Sequence, residues 1–290
     1  MKSTMFVDGP MTTLREGRHP FRWLLSALFA LVLLVGCGPS SEELEAVDYT
    51  PLAGAGLDVS TPSEVGLDPM ALAELYLNAA QLRTLYGLLV IKDGQLIAEK
   101  YFNGSALDKR KFMASATKSF TSALVGIALD QGCLSSVDQG FMQFFPEYSD
   151  RIDDPRKAQI TIRELLQMRS GFVWEERTEP YMEALFTSRG YWLPFIADFP
   201  LTSDPGAKFG YSNLSSHLAA VIVARACETD LRSFAQEHLF APIGADVGDW
   251  SQDADGNYYG AHGMPLTARD MARFGLLYLN SGEYQGTQVV

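Results

Sequence analysis

The segment FMASATKSFTSALVGIALDQG, residues 112–132, constrains the fold more than any other part of the chain. Its apolar residues recur at helical spacing and run almost unbroken from Ala123 to Leu129, which predicts a buried helix over about residues 114–130. A buried helix must be covered by other elements. With 290 residues, 47% of them hydrophobic, the chain can supply that cover, so we expect a folded globular protein with a substantial core.

The order of the other predicted elements indicates the fold class. Asp68-Pro69 opens an apolar-periodic helix, and two strand-like runs then flank Asp93-Gly94 within residues 87–102, which is a strong β-hairpin signal. A sheet at the front and mostly helices behind it predict an α+β fold, with a helical region set against a sheet. The later helical patterns lie at about residues 161–168, 213–227, 231–239 and 267–279.

The first 36 residues are typical of an export signal. Three arginines precede an apolar run at residues 23–35, which is too short to span a bilayer but suits a secretory signal. The signal could start at Met11, which would make residues 1–10 an upstream extension. The sequence LVGC that ends the run resembles the lipobox of bacterial lipoproteins, so Cys37 is the candidate lipidation site; a buried signal-region cysteine is the alternative.

The residues after the signal predict a lipoprotein organisation. Residues 37–62 are rich in Ser, Glu, Gly and Pro and predict a lipid anchor with a flexible tether. The folded domain is expected over residues 63–290. This order predicts an exported protein held in a membrane through its lipid, in the periplasm or on the cell surface.

Charge and ligand patterns exclude two classes of partner. The formal net charge is −12, and no basic run lies beyond the N-terminus, so nucleic acid is not expected to bind. The sequence has no CxxC or HExxH motif and its four histidines are scattered. We therefore expect no metal site and no cofactor.

Ser115 and Lys118 lie at the very start of the predicted helix. One explanation is structural, because serine is favoured as a helix cap and Lys118 would be a solvated first-turn charge. Ser115 is, however, the only serine with a lysine three positions later, a spacing that places both side chains on one helix face. The unpaired N–H groups and dipole of a helix start favour an oxyanion, and burial favours a neutral lysine that could take the serine proton.

Other nucleophile patterns and a second motif point the same way. The chain has no G-x-S-x-G nucleophile elbow, the main signature of α/β-hydrolases. The pattern Y-x-N occurs four times, at Tyr76, Tyr101, Tyr211 and Tyr278. Of these, only Tyr211 follows a turn-rich stretch, DPGAKFG at residues 204–210, and opens a helix, so its hydroxyl can project from a rigid corner.

With both motifs in place, residues 61–290 resemble the serine β-lactamase and penicillin-binding protein superfamily. The similar branch is the class C β-lactamase-like group of esterases, D-amino-acid peptidases and amide hydrolases, in which S-x-x-K is followed by Y-x-N. The strings FGYSN at residues 209–213 and LTARDMARFG at residues 266–275 are also similar to this branch. The resemblance implies an antiparallel sheet flanked by helices and a hydrolase acting through an acyl-enzyme.

The resemblance also implies roles for particular residues. Ser115 would be the acylated nucleophile, Lys118 and Tyr211 the proton-transfer pair, and Asn213 a ligand of Lys118 and of a substrate carbonyl. A phenol is a poor base at neutral pH unless an adjacent ammonium stabilises the phenolate, and Lys118 could provide that ammonium. Which of the two takes the first proton is left open, because coupled groups titrate as a pair.

Two further residues are weaker candidates for the walls of the cleft. Trp174 follows the string RSGFV, and His262 precedes a predicted helix. A buried core tryptophan and a solvent-exposed loop histidine are the simpler interpretations.

The sequence does not distinguish among several classes of substrate. Esters, linear or cyclic amides, D-amino-acid peptides and β-lactams all suit the same acyl transfer, so the partner is a small molecule or peptide. The alternative function is a non-catalytic surface lipoprotein that binds cell-wall peptides or β-lactams in the same cleft. The oligomeric state is not indicated by the sequence.

One departure from the family pattern concerns the C-terminus. The family's third motif, a K-T-G or H-x-G triplet on a late strand, and a second oxyanion donor beside it should follow the helix at about residues 267–279. No K-[ST]-G occurs anywhere, and the chain ends on an apolar pair after Gly286. We therefore expect the C-terminal strands to be missing from this chain, which would leave it inactive.

The two remaining cysteines, Cys133 and Cys227, are expected to form a disulfide. An exported protein meets an oxidising compartment, although nothing in the spacing demands this pair. Each cysteine follows a candidate site residue by about the length of one long helix. If the two helices run side by side from one cleft, the sulfurs reach a similar depth.

Overall fold

A computed structural model of the chain describes residues 38–52, 56–172 and 189–290. The predicted signal region 1–36, Cys37 and Trp174 lie outside these residues. The chain divides into two units, Met1–Ala46 and Val47–Val290. Among the residues that the structure describes, no helix combines the length and apolar character needed to cross a bilayer.

The described residues form short and long helices and three small pairs of strands. The helices are α1 (Ser41–Glu45), α2 (Pro69–Ala79), α3 (Thr117–Asp130), α4 (Ile162–Leu166), α5 (Phe195–Asp198), α6 (Asn213–Ala226), α7 (Leu231–Ala235) and α8 (Ala268–Leu279). The strands are β1 (Gly87–Lys92), β2 (Gln95–Tyr101), β3 (Lys111–Phe112), β4 (Pro265–Leu266), β5 (Glu283–Tyr284) and β6 (Thr287–Gln288). The predicted α+β class is confirmed.

The β1–β2 hairpin lies where its turn residues predict it. The strands are antiparallel, with Gly87 opposite Tyr101 and Lys92 opposite Gln95. Asp93 and Gly94 both have positive φ, 53° and 79°, as a two-residue turn that matches strand twist requires. β3 pairs with β4 and β5 with β6, also antiparallel.

The core is built around α3 and α6, which pack against each other. Both helices bury most of their residues because their sequences are apolar on nearly every face. Phe120 of α3 is fully buried and stacks on Phe240 and Phe274, with ring centroids 5.7 and 3.7 Å away. α3 and α6 therefore form a fixed frame, and the first turn of each carries candidate site residues.

Residues 47–52 and 56–62, which fall within the predicted tether, make contacts with the rest of the domain. The larger unit begins at Val47 rather than at residue 63. The Leu52 backbone N–H donates to Glu99 and its carbonyl accepts from Arg269, while Val59 forms a parallel bridge with Leu96 of β2. The polar composition of this stretch concealed backbone groups that pair with the sheet.

The contact at Leu52 involves a buried ion pair. Arg269 of α8 and Glu99 of β2 are 2% and 1% exposed, and an Arg269 Nη2 to Glu99 Oε2 distance of 2.6 Å joins them. Burial alone would raise the pKa of Glu99, but hydrogen bonds from Arg269 and Tyr101 hold that pKa below its usual range. The pair ties α8 to the hairpin.

Cys133 and Cys227 form a disulfide, as expected from the sequence. Cys133 follows the end of α3 and Cys227 is the C-cap residue of α6, and their Cα atoms are 5.0 Å apart. The bond therefore joins the ends of the two helices that are distant from the site residues at their starts. It fixes how far one helix can slide along the other.

Removing the disulfide should destabilise the protein strongly. The bond closes a loop with a sequence separation of 94, so its loss restores much chain entropy to the unfolded state. We expect the double variant Cys133→Ala/Cys227→Ala to lose about 2–5 kcal/mol of unfolding free energy, measured by urea denaturation. Reductant should shift the parental midpoint to that of the variant, and equal midpoints with and without reductant would contradict the prediction.

Candidate active site

Ser115 lies on a short 3₁₀ turn, Ala114–Ala116, immediately before α3. The N-cap position of α3 is Ala116, and no side chain caps either the turn or the helix. Ser115 is exposed, and the preceding Ala114 has a left-handed φ of 42°, a conformation that costs energy for a residue with a Cβ. The capping explanation for Ser115 therefore fails, and its hydroxyl is free of a structural role in the helix.

The Lys118 side chain is partly buried and donates three hydrogen bonds, so it is not a solvated first-turn charge. Its Nζ donates to Ser115 Oγ at 3.2 Å, to Asn213 Oδ1 at 2.6 Å and to the Ala261 carbonyl at 2.8 Å. Three acceptors match the three N–H donors of an ammonium group. The ammonium is thus held in one orientation, with one N–H directed at the Ser115 hydroxyl.

Tyr211 reaches the same hydroxyl from the other side. Its OH donates to Ser115 Oγ at 2.8 Å, and Lys118 Nζ lies 4.9 Å from the centre of its ring. The Gly210 N–H donates to the Met168 carbonyl at 2.8 Å, which holds the corner that carries Tyr211. Ser212 then caps α6 by accepting from the Ser215 N–H.

The structure separates Tyr211 from the other three Y-x-N tyrosines. Tyr76 is fully buried and donates to the Leu88 carbonyl, and Tyr101 donates to Glu99. Tyr278 lies near the end of α8, with its hydroxyl 3.5 Å from the Ser119 carbonyl. Tyr211 is the tyrosine that contacts Ser115, as its position at a turn-to-helix corner suggested.

The Ala261 carbonyl is a site group that sequence reasoning missed. It belongs to residues 251–264, here named the carbonyl loop. Gly260 brings this loop against α6 so closely that a Cβ there would meet Ser216 O and Ala220 Cβ, each at 2.4 Å. Thr121 of α3 also donates to the Gly260 carbonyl, at 2.8 Å.

The structure describes one of the two weaker candidates for the walls of the cleft, His262, but not the other, Trp174. His262 follows Ala261 and is half-buried rather than solvent-exposed, packing on Tyr259 and Trp192 with centroids 4.5 and 5.8 Å away. Trp174 lies outside the described residues. Phe209, 62% exposed, is an apolar side chain two residues before Tyr211 that was not singled out by the sequence.

The geometry meets the requirements of nucleophilic catalysis. A serine hydroxyl is hydrogen-bonded to two groups that can exchange protons, and one of them carries a charge that can stabilise the other as a phenolate. The described residues contain no group of three or more His, Cys, Asp or Glu side chains arranged to hold a metal ion. The arrangement of Ser115, Lys118 and Tyr211 is suited to acyl transfer.

The fold is of the β-lactamase/transpeptidase class, with solved structures similar to it. One is EstCE1, a hydrolase with promiscuous acyltransferase activity, at 15% identity and a TM-score of 0.60, covering 76% of this chain and 75% of that one. Another is a β-lactamase/D-alanine carboxypeptidase from Pseudomonas syringae, at 20% identity and a TM-score of 0.55, covering 75% of this chain and 67% of that one. At these identities the likeness establishes the fold alone.

The sequence profile of the Beta-lactamase family matches residues 79–290, so the chain belongs to that family. A curated relative, the 6-aminohexanoate-dimer hydrolase of Paenarthrobacter ureafaciens, is 28% identical over 251 residues. That alignment covers 80% of this chain and 62% of the relative, so the chain spans less than two thirds of the relative's length.

Proposed function

We propose that the protein is a serine hydrolase that cleaves an ester or amide through an acyl-enzyme on Ser115. The observation that carries this proposal is the Ser115 hydroxyl, hydrogen-bonded at once to Lys118 Nζ and Tyr211 OH. Serine hydroxyls are weak nucleophiles, and a pair of groups that can take and return its proton is what such a nucleophile needs. Family membership and the hydrolase relatives support the same class.

In the acylation step, the Lys118–Tyr211 pair accepts the Ser115 proton while Oγ bonds to the carbonyl carbon of the substrate. The reactive form of the pair has one proton fewer than an ammonium plus a phenol. Either a Tyr211 phenolate beside a charged Lys118, or a neutral Lys118 beside the Tyr211 phenol, then has a free site for the Ser115 proton, and both groups lie within hydrogen-bond distance of Ser115 Oγ. The tetrahedral intermediate then breaks its bond to the leaving alcohol or amine, and the pair returns the proton to that group. The product is an ester on Ser115.

Deacylation reverses these proton movements. Water takes the place of the leaving group, the pair removes one of its protons, and the new O–C bond forms as the Ser115 ester bond breaks. The proton returns to Ser115 Oγ. The contacts of Lys118 with Asn213 and the Ala261 carbonyl hold its Nζ within hydrogen-bond distance of Ser115 Oγ.

The substrate is proposed only as a small ester or amide, including peptides. The relatives include a hydrolase named for a 6-aminohexanoate dimer, and the neighbours include a β-lactamase/D-alanine carboxypeptidase. Tyr211, which bonds to Ser115, is 39% exposed, and Phe209, two residues earlier in the chain, is 62% exposed. Exposed aromatic side chains at and near a residue that bonds to the nucleophile favour a substrate with an apolar portion near its reactive carbonyl.

The proposal is tested by covalent labelling. A fluorophosphonate and a fluorescent penicillin are incubated with the protein, and the modified peptide is identified by mass spectrometry. Label on Ser115 with turnover of p-nitrophenyl esters supports the hydrolase. Reversible binding of cell-wall peptides without any label would instead favour the non-catalytic binding protein, and label on another serine would refute the assignment.

We also propose that the protein is exported and anchored to a membrane through lipid on Cys37. The disulfide between Cys133 and Cys227 supports an oxidising compartment, since such bonds are rare in the cytosol. The tether would be short, because the larger folded unit begins at Val47.

The lipid is tested by metabolic labelling. Expressed in a bacterium, the chain should incorporate radiolabelled palmitate, and Cys37→Ser should remove the label because the acceptor thiol is lost. The Cys133→Ser/Cys227→Ser variant provides the matched control and should keep the label. Palmitate retained in Cys37→Ser, or absent from the parental protein, would exclude lipidation at this residue.

A further inference from the structure

A second buried polar pair lies close behind the site and is not used by the proposed reaction. His217 of α6 and Asp253 of the carbonyl loop are both completely buried, with His217 Nε2 2.9 Å from Asp253 Oδ2. Asp253 also accepts from the backbone N–H groups of Asp255 and Asn257. This carboxylate thus organises the turn in the first half of the carbonyl loop, and its bond to His217 ties that turn to α6.

The pair joins the two elements that supply Asn213 and the Ala261 carbonyl to Lys118. α6 begins at Asn213, whose side chain accepts from Lys118, and His217 lies one helical turn later on the same helix. The carbonyl loop supplies the Ala261 carbonyl, which also accepts from Lys118. The position of that carbonyl relative to Asn213 therefore depends on how the loop is attached to α6.

We propose that the buried His217–Asp253 hydrogen bond is a positioning pair that sets the Ala261 carbonyl on Lys118. Other contacts also locate the loop, among them the Gly260 approach to α6, the bond from Thr121, and the bond from Trp250 Nε1 to the Tyr259 carbonyl at 2.9 Å. The His217 ring packs on Tyr259 as well, with centroids 5.3 Å apart. His217–Asp253 differs from these contacts in joining the loop to α6 through a hydrogen bond between two side chains.

The chemistry of the pair suits a fixed support. Burial would raise the pKa of Asp253, but hydrogen bonds from His217 and Asn257 hold that pKa below its usual range, so it is a carboxylate at neutral pH. His217 Nδ1 has no hydrogen-bond partner among the described residues. The bond through Nε2 is thus the polar attachment of the ring, and a side chain with one donor at that position could replace it.

The expected effects on reaction rates rest on the proposed function, whereas the position of the Ala261 carbonyl on Lys118 does not. If the carbonyl loop moves by about 1 Å, Lys118 loses one acceptor and its direction toward Ser115 changes, which can slow a reaction by as much as a hundredfold. The side chains of His217 and Asp253 are themselves completely buried, so neither is available to contact a substrate. We therefore expect His217→Leu to lower kcat and the rate of Ser115 acylation by about tenfold to a hundredfold, with KM nearly unchanged.

Two variants and a control separate positioning from stability. His217→Gln keeps a donor near the Nε2 position and should restore most of the acylation rate, whereas His217→Leu should not. The matched control is Glu99→Gln, which weakens another fully buried ion pair, on β2 and away from the Lys118 contacts, and should lower the thermal midpoint without slowing acylation. All rates are compared well below each variant's thermal midpoint.

A spectroscopic readout tests the proposal without any reaction. In protein labelled with ¹⁵N-lysine, the Nζ signal of Lys118, assigned with Lys118→Arg, should shift in His217→Leu but not in His217→Gln or Glu99→Gln. If His217→Leu does not fold, Asp253→Asn replaces it in the same comparison. An unshifted Lys118 signal would overturn the positioning role, whereas a parental protein that fails to label on Ser115 would overturn the proposed function instead.

Discussion

Replacing Ser115 with alanine should abolish covalent labelling and lower ester hydrolysis by at least about a thousandfold, because no other group would form the acyl-enzyme. The fold should be unaffected. Ser115 is exposed and caps neither its turn nor α3, so the unfolding free energy should change by no more than about 0.5 kcal/mol. Fluorophosphonate labelling, p-nitrophenyl acetate turnover and urea denaturation measure these three quantities.

The matched control for this prediction is Ser119→Ala. Ser119 is also exposed and lies one turn further along α3, but neither Lys118 nor Tyr211 bonds to its hydroxyl in the structure. Its replacement should leave both labelling and turnover unchanged. If Ser115→Ala hydrolyses esters at the parental rate while folded, the nucleophile is another residue.

The parts of the fold that sequence predicted well are those set by local chemistry. The β1–β2 hairpin follows from Asp93-Gly94, because these two adjacent residues adopt the positive φ angles that a two-residue turn requires. The long helices follow from apolar periodicity. The start of α3 was predicted less well, because the 3₁₀ turn at Ala114–Ala116 depends on a distant contact, the Met113 N–H with the Met264 carbonyl at 2.8 Å.

The candidate site likewise contains side chains that the sequence predicted and one backbone group that it did not. Ser115, Lys118, Tyr211 and Asn213 have side chains whose chemistry can be recognised in a sequence, and the structure brings all four together. The Ala261 carbonyl carries no such signal, since every residue has a backbone carbonyl. The short string GAHG gave one indirect sign, because Gly260 permits the close approach that places the carbonyl on Lys118.

The contacts of residues 47–52 and 56–62 could not be predicted, for a related reason. Their composition is that of a linker, yet the Leu52 backbone satisfies both members of the buried Glu99–Arg269 pair. Backbone groups that complete a buried charge network leave no pattern in the side chains. The network becomes recognisable only when β2 and α8, which are distant in sequence, are brought together.

The Lys118 and Tyr211 contributions should prove strongly non-additive, which is the second large effect expected of this site. Both groups bond to Ser115 Oγ, and the Lys118 charge lies 4.9 Å from the Tyr211 ring. If the ammonium makes the phenolate accessible, neither residue transfers the proton without the other. We expect Lys118→Ala, Tyr211→Phe and the double variant to share one low rate, about a hundredfold to ten-thousandfold below the parental rate.

Tyr278→Phe controls for the loss of a tyrosine hydroxyl. It has the same Y-x-N pattern but its hydroxyl is directed at the Ser119 carbonyl, so turnover should be unchanged. Stability must be measured in parallel, because Lys118→Ala removes the hydrogen bonds that Lys118 donates to Asn213 and to the Ala261 carbonyl, at a cost of about 1–3 kcal/mol. Losses that multiply in the double variant would mean that the two residues act in separate steps, with Lys118 positioning the substrate and Tyr211 alone moving the proton.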